Sequence, residues 1–409
     1  MRAKLLTKIL GAAALYLCCA AAGSATGGIE RTPRVFLLDA RVLRMERQLT
    51  KNDPQNAVAI ATRRAADRAL TQKPLSVMDK TALPPSGDKH DYMSQAPYFW
   101  PNPNTPTGVP YMRRDGERNP EISKISDHVE LAQMSQDART LALAYYVTGD
   151  ERYATRAALL LRAWFLDPAT RMNPNLEYAQ GIPGINTGRG IGIIESRMLT
   201  SVVDAVGLLA GSSHWNEEDQ RGMEQWFGKF LAWLQNSPHG KAESKAKNNH
   251  GSYYDLQTAD CALFVGKREL AGELLNRAAQ KRIGRQIEAD GRQPLELART
   301  KSLGYSIFNL RALMGLATLG DELGVDLWRY RAPNGGSIRA ALNFLVPYAL
   351  GEKEWTWQQI GQFQPKELVG PLLEAAIAYH DKSYEAAAEK LGSPGGDVED
   401  LLLMAGAPH

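Results

Sequence analysis

Cysteine is nearly missing, at three in 409 residues, and two of the three, Cys18 and Cys19, fall in the apolar run that opens the chain. That opening, MRAKLLTKILGAAALYLCCAAAGSATGG, sets Arg2, Lys4 and Lys8 before an apolar stretch from Ile9 to Ala22, then small residues. This is the layout of a cleavable secretory signal peptide, and the stretch is short for a membrane span. Residues 1–25 are therefore expected to be a signal peptide, cut near Ala22 or Ala25, and the product is expected to be periplasmic or secreted. Leu17, not a small residue, precedes Cys18, which argues against a lipid anchor. Cys261 is then the one remaining cysteine, so an internal disulfide is excluded and stability is left to packing.

An excess of one charge is missing too. The 48 Lys and Arg against 45 Asp and Glu lose their surplus with the three basic leader residues. An even balance makes no electrostatic case for nucleic acid, and no later apolar run makes one for a membrane span. The seven histidines include no H-E-x-x-H and no closely spaced His or Cys pair, so neither a metal nor a cofactor is expected. No G-x-S-x-G elbow or Walker loop occurs, and GRGIGI at Gly188 to Ile193 is glycine-rich without a preceding strand.

Strand-type alternation is also scarce, and helical periodicity takes its place. Tyr153, Ala157, Leu160, Leu161 and Trp164 fall on one helical face, as do Met198, Val202, Ala205, Val206 and Leu209. Further helices are expected over 128–147, 217–235, 252–264, 268–289, 303–320, 337–350 and 366–391. The class is all-α, and helices of this length in antiparallel pairs suit a bundle, a solenoid or a closed ring of hairpins. No strict repeat marks a tetratricopeptide array. Residues 26–409 are expected to form a single domain.

Two long loops interrupt the helices, over 84–123 and 167–192. Loops of this length in a compact domain are usually functional or disordered, and Tyr92, Tyr98, Phe99, Trp100 and Tyr111 argue against disorder. Such aromatics either pin the loop to the helices or form a platform for pyranose rings. The stretch KAKNNHGSYYDLQ sets Asn248, Asn249 and His250 ahead of a helix whose start reads as a capping box of Ser252 and Asp255. Lys241, Lys245 and Lys247 lead into it, while Arg292, Arg299 and Lys301 lead into Tyr305. A guanidinium there suits bidentate capture of a carboxylate.

Together HDYMSQAPYFWPNP, YMRRDGERNP, NTGRGIGIIESR, KNNHGSYYDLQ and the Arg299 to Tyr305 segment resemble the alginate lyase superfamily of uronan-degrading polysaccharide lyases, over roughly residues 85–350. The resemblance implies an incomplete (α/α) toroid of about six or seven helical hairpins, with long aromatic-rich loops over a groove. It implies an anionic polysaccharide as the substrate, a uronic-acid polymer cleaved by β-elimination, with alginate as polymannuronate or glucuronan expected. By the same resemblance Asn249, His250, Arg299 and Tyr305 are the catalytic candidates, with Tyr92, Tyr98, Trp100, Arg189, Arg197, Lys247, Tyr254 and Arg292 as substrate-binding candidates.

The chemistry asks for those residue types. The C5 proton of a uronate is weakly acidic because a carboxylate adjoins it, so Asn249 and Arg299 would neutralise that carboxylate as charge builds. Where the C5 proton and O4 share a side, as in β-D-mannuronate or β-D-glucuronate, Tyr305 alone reaches both; where they are opposed, as in α-L-guluronate, His250 is the natural base. The competing readings are a glycoside hydrolase using two of Glu195, Asp255, Asp290 and Glu296, and a non-catalytic periplasmic polysaccharide-binding protein.

Overall fold

A computed structural model describes residues 32–392 and 398–406; the expected leader lies outside them. Helices α1 (Ala40–Asn52) and α2 (Ala57–Leu70) pack on α3 (Asp127–Thr148), which also carries α4 (Glu151–Leu161) and α5 (Leu199–Leu208). After α6 (Glu217–Asn236) and the short α7 (Pro238–Glu243) comes α8 (Asn249–Phe264), which packs on α5, α6 and α9 (Arg268–Ala278). Two single turns, α10 (Gly284–Gln286) and α11 (Pro294–Leu297), lead to α12 (Ser302–Asp321), which lies along α8. The chain continues through α13 (Ile338–Ala349), α14 (Val369–Tyr379), α15 (Lys382–Leu391) and α16 (Val398–Gly406), and α16 returns to α1 and α2. The architecture is the expected all-α (α/α) toroid of helical hairpins. One hydrophobic cluster runs from Val35 to Leu402, and no helix among the described residues is long and apolar enough to cross a membrane.

Composition separates inner helices from outer ones. Every residue of α8 from Gly251 to Phe264 is buried, so its sequence needs no polar face and shows none. Outer helices α4 and α6 bury one stripe and expose the other. The capping is local: Asn216 and Asp219 form a reciprocal box on α6, and Gly149 ends α3 in the left-handed region at φ 75°.

Several boundaries differ from the sequence expectation. Residues 84–123 contain β1 (Met93–Gln95), β2 (Phe99–Trp100) and β3 (Met112–Arg113); β2 pairs antiparallel with β3, and β1 pairs parallel with β4 (Tyr178–Gly181). The stretch expected as one helix over 366–391 breaks at His380, which is left-handed at φ 51°. The GRGIGI glycines open the 3₁₀ segment Gly190–Met198 packed on β4, where a Cβ at Gly188 would collide with Glu177 and one at Gly192 with Ala179. Close backbone approach is their role.

Candidate active site

Helix α8 begins at Asn249, three residues before the expected cap at Ser252. The cap comes from another element: the Glu296 carboxylate on α11 accepts from the Asn249 backbone N–H at 2.7 Å and from its Nδ2 at 2.6 Å. Ser252 is instead inside the helix, donating to Gln286, and Asp255 is buried against Arg282. Asn249 and His250 thus occupy the first turn, where the N-terminal end of the helix favours an anion. His250 Nδ1 lies 2.7 Å from Glu243 Oε1 at the end of α7, and Glu243 is almost wholly buried. A carboxylate only accepts, so Nδ1 carries a hydrogen, which in the neutral ring leaves the lone pair on Nε2.

Tyr305 stands in the first turn of α12, with the Arg299 guanidinium 3.9 Å from its ring centroid and its hydroxyl donating to the Tyr98 hydroxyl at 2.7 Å. Asp115, beyond β3, accepts from Arg299 Nε at 3.0 Å and Nη2 at 2.9 Å, and from the Thr300 hydroxyl. The aromatic loop is therefore tied to both catalytic candidates of this segment. Burial pushes the Tyr305 phenol above its ordinary range, and the hydrogen bond with Tyr98 adds to this against the opposing Arg299 charge. Burial also works against ionisation of Asp115, yet the Arg299 hydrogen bonds and charge outweigh it and hold that carboxyl at about 2.

These groups line a cavity of about 340 Å³. Tyr98, Arg197, Asn249, His250, Arg299 and Tyr305 all face it, joined by Ser94, His128, Gln180, Glu195 and Lys301. Glu195 is buried and accepts from Tyr92 at 2.8 Å and from Ser94 at 2.6 Å. Burial lowers the readiness of the neighbouring His128 to protonate, against the pull of Glu195.

The other substrate-binding candidates sit elsewhere. Tyr92 is fully buried behind Glu195, and Tyr254 is buried with its hydroxyl on the Leu234 carbonyl. Lys247 is exposed, and Arg292 is exposed and paired with Asp290 and Glu288. Arg189 stands behind the wall, holding Gln180 at 2.8 Å and covering Phe99. Trp100 lies on the loop beneath Arg114, its indole N–H on the Glu117 carbonyl. Of the four carboxylates weighed for hydrolysis, only Glu195 lines the cavity; Glu296 and Asp255 hold structure and Asp290 is on the surface. Glu243, His128 and Gln180 carry no local signal, since each gains its place through tertiary contacts.

Residues 76–355 match the family model described as alginate lyase. The crystal structure of an alginate lyase from Bacteroides ovatus is 40% identical, over 91% of this chain and 99% of that one, with a TM-score of 0.87. The chain belongs to the alginate lyase family. As a member it is a polysaccharide lyase. Alginate lyase A1-III from Sphingomonas species A1 has the same fold, at 16% identity and a TM-score of 0.52 over 86% of this chain and 88% of that one. A variant of A1-III complexed with a tetrasaccharide gives 15% identity and a TM-score of 0.56 over 87% and 90%. No curated protein sequence matches significantly. In this lyase the cavity is lined by the aromatic loop together with the first turns of α8 and α12, and Tyr98 joins the loop to α12.

Proposed function

We propose that this polysaccharide lyase cleaves alginate by β-elimination, with His250 as the base and Tyr305 as the acid. The observation that carries the reading is the division of protonation between the two. Glu243 binds His250 Nδ1, which in the neutral ring leaves Nε2 to take a proton, whereas burial keeps Tyr305 protonated, so its hydroxyl still holds the proton that O4 needs. His250 Nε2 removes the C5 proton, the electron pair forms the C4–C5 double bond, the C4–O4 bond breaks, and Tyr305 protonates O4. With two groups sharing the task, the reaction is not confined to residues whose C5 proton and O4 lie on one side.

The uronate carboxylate needs donors that strengthen as charge grows. Asn249 spends one Nδ2 hydrogen on Glu296 and keeps the other. Arg197 gives one N–H to the Ile194 carbonyl and keeps the rest of its fork, standing over Phe308. Arg299 is engaged by Asp115, so its part is to hold the loop and Tyr305 while its charge favours the phenolate when O4 is protonated. The 40% identical relative is itself described as an alginate lyase, which supports alginate as the first polymer to try. Purified enzyme supplied with polymannuronate, polyguluronate and glucuronan should form unsaturated uronate, read by ultraviolet absorbance, from the two alginate polymers. Product from glucuronan alone would overturn the substrate assignment, and product from none would overturn the uronan reading.

We also assign the mature chain to the periplasm or the medium, on the leader read in residues 1–25. N-terminal sequencing of exported protein should begin between residues 21 and 29; an intact Met1 would contradict it.

A further inference from the structure

A second group of aromatic residues lies outside the cavity and is used by none of the chemistry above. Trp355 and Trp357 have ring centroids 4.8 Å apart at 52°, Tyr348 meets Trp355 at 4.9 Å, and Phe344 meets Trp357 at 5.7 Å. All four are half-buried. Phe344 and Trp355 pack against the hydrophobic core, which leaves Trp357 and Tyr348 as the outward members. Ring clusters that remain partly open to water beside a polysaccharide groove suit the apolar C–H face of a pyranose.

The cluster is joined to the catalytic segment. The Trp355 indole N–H donates to Ser302 Oγ at 2.9 Å, and Ser302 opens α12, which carries Tyr305 in its first turn. Ser302 N–H and Oγ both donate to the Gln358 carbonyl, and Lys301, which lines the cavity, pairs through its backbone with Gln359. Ile360 N–H donates to the Thr300 carbonyl, and the Ile360 side chain lies against Gly116, next to the Asp115 that holds the aromatic loop. The stretch from Trp355 to Ile360 therefore backs the part of the cavity wall that Lys301 supplies.

We infer that Trp357, with Tyr348, forms a distal shelf for the same uronan chain, engaging sugar units beyond the cavity; this rests on the uronan reading above. Glu352, Lys353 and Glu354 nearby are exposed and of mixed sign, so the shelf holds sugar by ring contact rather than by charge, and its contribution survives added salt. Its effect belongs to long substrates only.

The test compares wild type with Trp357→Ala and Trp357→Phe on a long uronan and on its purified trisaccharide, with melting temperatures recorded alongside. Trp357→Ala should raise KM for the polymer roughly three- to tenfold, the scale of an aromatic contact, leave kcat unchanged and leave the trisaccharide unaffected. Trp357→Phe should restore most of the loss. Tyr348→Ala, made as an independent variant, should act in the same direction. Equal losses on polymer and trisaccharide, or a lowered melting temperature with normal polymer KM, would return the cluster to a purely packing role. A wild type inactive on every uronan removes the reading beneath the shelf and the shelf with it, whereas an active wild type with unaltered variants removes the shelf alone.

Discussion

At the scale of single residues, the account rests on a hydroxyl and two carboxylate-held side chains. Tyr305→Phe keeps the ring beneath Arg299 but removes the proton proposed for O4, so kcat should fall at least ~10²-fold with polymer binding retained. Single-turnover rates with a binding measurement check both halves. Glu243→Gln replaces the acceptor at His250 Nδ1 with a group that offers either an acceptor or a donor, so the tautomer is no longer fixed. Its kcat should fall about 10- to 100-fold with KM nearly unchanged; loss confined to KM would make Glu243 a binding residue instead. That Asn249, His250, Arg299 and Tyr305 share one cavity could be anticipated because they stand in short, ordered sequence patterns. Glu243 and Glu296 were not, because a carboxylate that caps or orients from another helix leaves no periodic trace in its own neighbourhood. Glu296 was weighed as a hydrolytic acid, yet it serves Asn249, with burial raising its carboxyl and the Asn249 hydrogen bonds working against that rise.

At the scale of elements, the aromatic loop and the start of α8 are where sequence and structure diverge most. Local capping rules put the α8 start at Ser252, but a tertiary carboxylate extends it by a turn and carries Asn249 and His250 into the helix end. The loop was recognisable by its aromatics, whereas its fastening by Asp115 to Arg299 and Thr300 depends on a contact across 184 positions of sequence. Asp115 has a folded-state pKa below its ordinary value, so its stabilising contribution is present above the ordinary carboxylate range and is lost as pH falls through about 2. Mild acid should therefore leave the loop closed, while Asp115→Asn should loosen it at neutral pH. Hydrogen exchange over residues 93–119 should quicken in the variant, KM should rise several-fold, and the melting temperature should move little. Unchanged exchange would contradict the fastening.

At the scale of the whole molecule, the helical periodicity was enough to expect an all-α fold, and Cys261, the one cysteine among the described residues, is buried and free. Less visible was a strain on the inner helices. Asp204 on α5 is fully buried; its Oδ1 accepts from the Phe36 N–H at 2.7 Å, and burial pushes its carboxyl up to about 6 despite Arg139. Asp260 on α8 is also fully buried, its oxygens meet no hydrogen-bond partner among the described residues, and burial followed by Asp204 raises it further. A carboxyl with a raised folded-state pKa gives stability that is present below its unfolded value and lost as pH rises through the folded one. Thermal stability should thus decline between about pH 4 and 6, by something on the order of 3 kcal/mol from Asp204, and Asp204→Asn should flatten the decline. A melting temperature level across that range in wild type would contradict it. The central claim, elimination rather than hydrolysis, is tested most directly by cleaving alginate in water enriched in heavy oxygen and weighing the products. The account predicts unsaturated non-reducing ends with no heavy oxygen taken up at the cut; saturated ends, with one heavy oxygen gained for each bond broken, would contradict it.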